Sequence, residues 1–246
     1  MPPLLASGRD ADVYAIAPGR VLRRNRDGSS PAAEAEVMAH VRAHGFPAPR
    51  VFRVDGADLE LERLDGPTML TVLLGGTLDA DDAAAILVDL HRQLHALPPM
   101  PTGSRPQPGA ADRLDMAYPQ GRIDPDGCVV HLDLHPQNVL LTGRGPVLID
   151  WTNARHGPGD LDTALTALIL GQAASGNLGP IPGLDLGALA AAALDVLTSF
   201  LAQVDGDPGR LLDRVVAYRA ADPNIHATES DGLDEAASLV RAHLPR

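Results

Sequence analysis

The sequence predicts an α+β chain built of two unequal parts, and three observations predict it. Short strand-like runs crowd the first sixty-odd residues around a single amphipathic helix. From there on the pattern changes to long helical segments. A small β insert carrying most of the polar chemistry interrupts those helices. Asp65-Gly66-Pro67 breaks the chain between the parts, which are residues 1–64 and 65–246.

Each element has a local cause. Val13-Tyr14-Ala15-Ile16 and Val21-Leu22-Arg23-Arg24 flank the turn signal Pro18-Gly19 and form a hairpin. A helix follows with Ser30 as N-cap, Pro31 at the first helical position and Gly45 just past the end. On it Glu34, Val37, Met38 and Val41 share one face. Pro47 and Pro49 end that unit, and two further strands fit Arg50–Val54 and Leu59–Leu64. Asp81–Leu97 reads as a helix with Ile86, Leu87, Leu90 and Leu94 on one side, and the Pro-rich stretch from Pro98 to Gly109 as a loop. The apolar runs Cys128–His131, Val139–Leu141 and Val147–Ile149 form the insert. Helices are then expected over Leu161–Ala173, Leu186–Gln203, Pro208–Ala220 and Leu233–His243.

Composition excludes several classes of function. A chain of 246 residues with 45% hydrophobic and 21% charged residues folds into an ordinary globular core, and 3% aromatics means that Leu, Val, Ile and Ala build it. A formal net charge of -12 excludes a grip on nucleic acid or on an anionic membrane. Up to Asp65, 9 arginines face 10 acids; beyond it, 11 face 22, so the second part is either an attractor for a cation or a solvated acidic surface. Every basic residue is Arg, so no mechanism here uses a lysine. The single cysteine, Cys128, excludes an internal disulfide and fits a reducing compartment. With no basic n-region and apolar stretch at the start, and Leu186–Ala202 interrupted by Asp195, a cytoplasmic protein without a membrane span is expected. Nothing in the composition signals subunit number.

The chemistry concentrates in His131-Leu132-Asp133-Leu134-His135-Pro136-Gln137-Asn138, followed by Val147-Leu148-Ile149-Asp150-Trp151. An Asp, an Asn five residues on, and an Asp at the end of an apolar strand form a set that phosphoryl transfer uses. One carboxylate orients an acceptor hydroxyl, while the amide oxygen and the second carboxylate suit Mg²⁺, which prefers hard oxygen ligands. A hairpin of Val139–Leu141 and Val147–Ile149 would bring Asn138 and Asp150 to one end.

This compound string resembles the catalytic loop and metal-binding Asp of the aminoglycoside phosphotransferase family, relatives of choline kinases within the protein-kinase-like fold. The match continues through Ala154, Gly157, Asp162 and Ala164. The resemblance implies a small antiparallel β lobe with one helix that binds nucleotide, and a larger, mainly helical lobe for catalysis and acceptor. It implies ATP (with GTP the variant) and Mg²⁺, and a small-molecule hydroxyl acceptor, with a cationic one such as an aminoglycoside suited to the acidic lobe. Residue by residue it makes Asp133 the catalytic base, Asn138 and Asp150 the metal ligands, His131 a support of the loop, and Asp162 the buried brace beneath it. Ser7 and Gly8 fall where the family covers the nucleotide, and the backbone of Glu62 and Leu64 where it meets adenine. Where the family has a lysine, this chain reads Val21-Leu22-Arg23-Arg24. Strand alternation puts Val21 and Arg23 on one face, so Val21 packs on the base and Arg23 replaces the lysine, with Arg24 in reserve. Its expected helix partner is Glu34.

Two other readings stay open on the residues alone. His131, Asp133 and His135 alternate, and on an extended strand they would form a metal site for a hydrolase. The missing lysine and a loop with a single glycine also fit a nucleotide-binding protein without catalysis. The acids Asp222, Glu229, Asp231, Asp234 and Glu235 are candidates to line an acceptor site, with a solvated face as the plainer reading.

Overall fold

Alternating apolar residues near the start build an antiparallel sheet of five strands in the order β1-β2-β3-β5-β4. The strands are β1 (Leu4–Ser7), β2 (Ala11–Ala17), β3 (Arg20–Asn25), β4 (Val51–Asp55) and β5 (Asp58–Glu62). The computed structural model describes residues 2–8, 10–100, 127–176, 184–222 and 231–245. In register, Val21 pairs with Leu61 and Arg23 with Leu59, so these four side chains share one face. Strand β1 was not expected from the sequence. All four of its residues are exposed, so no alternation marks it, and its backbone pairing with β2 holds it.

Helix α1 (Ala32–Ala43) lies between β3 and β4 and buries Glu34, Val37, Met38 and Val41, the face set by the 3.6-residue period. Its start corrects the expectation. Pro31, not Ser30, occupies the N-cap, and no side chain caps the helix. Its end is a Schellman motif, with Gly45 N–H donating to Arg42 carbonyl (3.0 Å) and Phe46 N–H to Val41 carbonyl (3.0 Å). Gly45 takes φ +86°, which is what this motif asks of that position.

The chain leaves the sheet through residues 63–68 and immediately packs on the other part. Leu141 N–H donates to the Pro67 carbonyl (2.9 Å), and Thr68 bridges to Leu140. Thr68 then caps α2 (Met69–Leu74), a short helix the sequence did not announce. Asp79 caps α3 (Ala80–His95) by accepting from Asp82 N–H at 2.8 Å. The predicted loop after it is described only to residue 100; the rest lies outside the described residues. Two small hairpin-like pairs follow: β6 (Cys128–Val130) with β9 (Arg155–Gly157), and β7 (Val139–Thr142) with β8 (Gly145–Leu148). The β9 strand was also unexpected, because three residues reading Arg-His-Gly carry no apolar pattern.

Helix α4 (Gly159–Ser175) runs through the middle of the helical part and is buried on nearly every side, which explains its almost uniformly apolar and small composition. It packs against α5 (Leu186–Gln203), α6 (Leu212–Ala220) and α7 (Leu233–His243). The helix expected from Pro208 begins as a 3-10 turn, Pro208–Leu211, and becomes α-helical at Leu212. Among the described residues, α5 is the one helix long and apolar enough by composition to cross a bilayer. Its Leu189, Val196, Leu197 and Phe200 are buried in the protein core. One apolar cluster links the two parts: Phe46 meets Trp151 edge-on at 5.6 Å, and Leu148 N–H donates to the Pro47 carbonyl (3.0 Å).

Gly66 is where the linker presses closest on β7. It takes φ +151°, and a Cβ there would sit 2.3 Å from the Leu141 carbonyl oxygen. Gly66→Ala is therefore expected to cost at least about 2 kcal/mol in urea denaturation, since backbone must move. Gly56→Ala, at φ +58° with open space around it, is the control and should cost about 1 kcal/mol.

Candidate active site

The site rests on a buried carboxylate. Asp162, near the start of α4, is fully buried. Its Oδ2 accepts the His131 N–H (3.0 Å) and its Oδ1 the Leu132 N–H (2.7 Å). From α3, His95 Nε2 approaches Oδ2 at 3.1 Å and His91 Nδ1 at 3.5 Å. Burial opposes ionisation, but the imidazoles beside it hold the Asp162 carboxyl well below the usual carboxylate range. Thr166 gives its hydroxyl proton to the Leu134 carbonyl (2.7 Å), so its Oγ1 accepts from His91 Nε2–H at 3.0 Å. Helix α4 thus grips the loop from residue 131 to 134 through its own backbone, and the α3 histidines back that grip through Asp162 and Thr166. The grip matters because Leu132 takes φ +60°, a left-handed conformation that a leucine holds only when its surroundings enforce it.

On that loop, the carbonyl and the Oδ2 carboxylate oxygen of Asp133 both accept from Asn138 Nδ2, at 2.9 and 3.0 Å. This pairing turns Asn138 Oδ1 away from Asp133, as a donor atom for a cation. The side chain of Asp133 is 19% exposed, and His135 Nε2 lies 3.6 Å from its Oδ1. Burial pushes the Asp133 carboxyl up, but His135, the Arg219 guanidinium and His131 outweigh it and hold it below its ordinary value. Asp133 is therefore a carboxylate at neutral pH, able to accept a proton or a hydrogen bond. The β7–β8 pairing places Ile149 N–H on the Asn138 carbonyl (2.9 Å), and Asp150 follows at φ +62° with its side chain 51% exposed. Asn138 and Asp150 therefore stand at one end of a hairpin. Their amide and carboxylate oxygens are the hard donor set that Mg²⁺ prefers.

Opposite them, Arg23 from β3 holds Glu34 from α1 with both terminal nitrogens. NH1 donates to Oε1 at 2.7 Å, and NH2 pairs with Oε2. The side chains are only 12% and 6% exposed. Burial pushes the Glu34 carboxyl up against the pull of Arg23, so losing the arginine would leave an uncompensated buried acid. Arg23 NH1 also reaches across to Thr152 Oγ1 (3.3 Å) and lies 3.9 Å from Asp150 Oδ1. Arg24, on the other face, is paired with Asp58 at the surface.

The remaining predicted residues lie apart from this centre or are already engaged. Val21 sits beside Arg23 on the inner face of the sheet. Glu62 donates its N–H to the Arg50 carbonyl (2.8 Å), and its carboxylate pairs with Arg144 at 2.7 Å. Leu64 and Glu62 border a cavity of about 350 Å³ with Thr142 and Arg144. Ser7 Oγ donates to Asp12 (2.8 Å), and Gly8 N–H closes the β1–β2 turn on Ala11 (2.9 Å). His131 does not join Asp133 and His135 in a metal cluster. It is fully buried, its Nε2 bonds to the Ile149 carbonyl (3.1 Å), and its ring lies edge-on to Trp151 at 4.9 Å. Among the described residues, the histidines and acid close enough to share a cation are His91, His95 and Asp162. Of the C-terminal acids, Asp222 lies 3.9 Å from Arg219, and Glu229 is outside the described residues. Sequence reasoning missed His91, His95, Thr152 and Arg219. The i, i+4 spacing of the two histidines is the one visible signal, and it places them on one face of α3 without naming a partner.

A model of a phosphotransferase enzyme family, APH, matches residues 3–120 and 110–181. The chain belongs to this family. Among curated relatives, the thiamine kinase of Salmonella paratyphi A is 33% identical over 165 residues, 60% of this chain. The chain spans 57% of that relative's length. Solved structures share the fold at 14% identity. Aminoglycoside phosphotransferase APH(4)-Ia, in a ternary complex with AMP-PNP and hygromycin B, superposes with a TM-score of 0.63 over 98% of this chain and 93% of its own. A choline/ethanolamine kinase family protein from Mesorhizobium loti does so at 0.54 over 98% and 92%. Amicoumacin kinase hAmiN, with AMP-PNP, Ca²⁺ and its ligand, does so at 0.53 over 99% and 89%. The protein-kinase-like α+β fold is thereby shown for this chain.

The buried histidines set an acid limit on its stability. Burial holds His91 and His131 below the ordinary histidine value, so the unfolded chain binds more protons than the folded one once pH drops below about 6.5. Their contribution is present above that pH and is lost as pH falls through it. Asp162, with its value depressed, adds stability that is lost only at much lower pH, as its own carboxyl protonates. Urea denaturation should show stability falling from pH 7.5 to pH 5.5, with a smaller fall in His91→Gln. An equal fall in both would remove His91 from this account.

Proposed function

We propose that this chain is a small-molecule kinase that moves the γ-phosphoryl group of ATP to an alcohol. The observation that carries the reading is the convergence of Asp133, Asn138 and Asp150 at one end of the β7–β8 hairpin, across from the Arg23–Glu34 pair. The neighbours in complex with AMP-PNP support a nucleoside triphosphate as donor, and adenosine over guanosine. The oxygen donors of Asn138 and Asp150 fit Mg²⁺, which when bound supplies charge neutralisation on the phosphates. Keeping all three of these oxygen-bearing residues favours catalysis over a nucleotide-binding protein without activity. The burial of His131 disfavours the hydrolase.

The residues divide the work by charge. Asp133, an acceptor at neutral pH, takes the hydrogen bond of the acceptor hydroxyl and aims its oxygen in line with the phosphorus. Arg23, fixed by Glu34, presents a permanent positive charge to the phosphates from the sheet side. Asn138 ties the base to the metal side of the site through its amide. Catalysis then comes from positioning and electrostatics, with no covalent intermediate on the protein.

The acceptor is a small alcohol, and the net charge of -12 suits one carrying positive groups. The guanidinium of Arg219, which helps hold Asp133 ionised, favours an acceptor whose cationic groups stand away from the reacting hydroxyl. A thiamine-like alcohol and an aminoglycoside are two members of this class, and a cytoplasmic setting goes with ATP as donor.

Calorimetric titration of the purified chain with ATP, with Mg²⁺ and with EDTA, tests donor and metal together. Binding should require Mg²⁺ and weaken at least about tenfold in Asp150→Ala, a loss in the range for a charged ligand contact. With an acceptor found by mass shift, Asp133→Ala should reduce transfer by about 10³-fold or more while ATP binding changes little. Unchanged turnover in that variant would sink the assignment. Arg24→Ala should leave nucleotide affinity as it is, whereas Arg23→Lys should weaken it and spare the fold.

A further inference from the structure

We propose that Thr152 is a positioning residue that links Arg23 to Asp150, and that the arginine in this place works through it. The proposal rests on the small-molecule-kinase reading of the site. Nothing in the catalytic string singles Thr152 out. It lies two residues past Asp150, is exposed, and carries no charge.

The case is one of hydrogen-bond supply. The guanidinium of Arg23 meets the Glu34 carboxylate with both NH1 and NH2. NH1 carries a second proton, and it is directed to Thr152 Oγ1 at 3.3 Å. The Thr152 hydroxyl proton is in turn donated to Asp150 Oδ1 at 3.0 Å. From Arg23 through Thr152 to Asp150 the two hydrogen bonds run in one consistent direction, donor to acceptor. Arg23 and Asp150 by themselves are 3.9 Å apart, an ion pair too long for a hydrogen bond, and the hydroxyl spans that gap.

The link also crosses between the parts of the fold. Arg23 belongs to β3 and Glu34 to α1, while Asp150 and Thr152 follow β8. Asp150 is held at φ +62° with half its side chain exposed, so its Oδ1 is fixed chiefly by the hydroxyl two residues on. A lysine could not do what Arg23 does here. A single ammonium on a flexible stem offers one nitrogen, where the planar fork grips two carboxylate oxygens and still reaches Thr152. The departure from lysine at this strand position and the threonine past Asp150 thus belong to one device, which sets the carboxylate that would hold the metal.

The test is calorimetry of AMP-PNP binding to the full chain at graded Mg²⁺ concentrations. Variants are Thr152→Val, which keeps the shape and removes the hydroxyl, Thr152→Ser, Arg23→Lys, and Arg23→Lys with Thr152→Val. Thr152→Val should raise the Mg²⁺ needed for half-maximal binding by roughly 5- to 10-fold, the loss of one hydrogen bond to a charged group. Its affinity for AMP-PNP at saturating Mg²⁺ and its melting temperature should stay at wild-type values. Thr152→Ser should restore the Mg²⁺ requirement, and in the Arg23→Lys background Thr152→Val should add no further loss. The proposal is overturned if Thr152→Val has the wild-type Mg²⁺ requirement, if Thr152→Ser is as impaired as Thr152→Val, or if the Arg23 and Thr152 effects simply multiply. A wild-type chain that binds no AMP-PNP at any Mg²⁺ concentration is a different result, and it would refute the kinase reading itself.

Discussion

The carboxylate of Asp162 is buried in an apolar surrounding, where an isolated charge would be very costly. It is tolerated because two backbone amides and two imidazoles converge on it. The amides belong to the loop over residues 131–134 and the imidazoles to α3, so satisfying one charge fixes three segments against each other. Leu132 can hold a left-handed backbone only within that grip. From this follows the placement of Asp133 one residue later, and through Asn138 the placement of the hairpin that ends in Asp150. A fully buried carboxylate thereby decides where the partly exposed one points.

Around the cleft, charges alternate in sign along a connected path. Glu34 is satisfied by Arg23, Arg23 reaches toward Asp150, and Asp133 is balanced by His135 and Arg219. Each acid is thus kept ionised or paired by a neighbour from a different element. On the proposed kinase reading, such an arrangement would meet a polyanionic donor and a hydroxyl acceptor without rearranging its own charges, which is the physical content of preorganisation. The use of arginine throughout is compatible with this, because a guanidinium holds a carboxylate at two points and stays charged when partly buried.

The two parts of the molecule share more than a linker. Phe46 on Trp151, Pro47 on Leu148, and Pro67 on Leu141 join the sheet side to the β7–β8 hairpin at several places. Gly66 lets the linker lie directly on Leu141, at a distance no side chain permits. These contacts hold Arg23 at a fixed distance from Asp150, and that distance is what makes the Thr152 link possible. The architecture of the sheet matters to function mainly through this spacing.

What the sequence determined by itself is what local periodicity and short spacing encode. Alternation along β3 put Val21 and Arg23 on one face and Arg24 on the other. Helical period put Glu34 with Val37, Met38 and Val41. The apolar strands on either side of residues 143 and 144 brought Asn138 and Asp150 to one hairpin end. Pro31 displaced the expected Ser30 cap because a cap depends on the path of the incoming chain as well as on residue type. Strands β1 and β9 were invisible, since pairing with a distant strand, and no apolar pattern of their own, makes them strands. Only the tertiary structure decided that His91 and His95 on α3 meet Asp162 on α4, that Arg219 stands near Asp133, and that Thr152 lies between Arg23 and Asp150. These residues are separated by tens of residues or more in the chain, and neither period nor propensity carries information about a partner that far away. Folding supplies it by burying charges that then require one another.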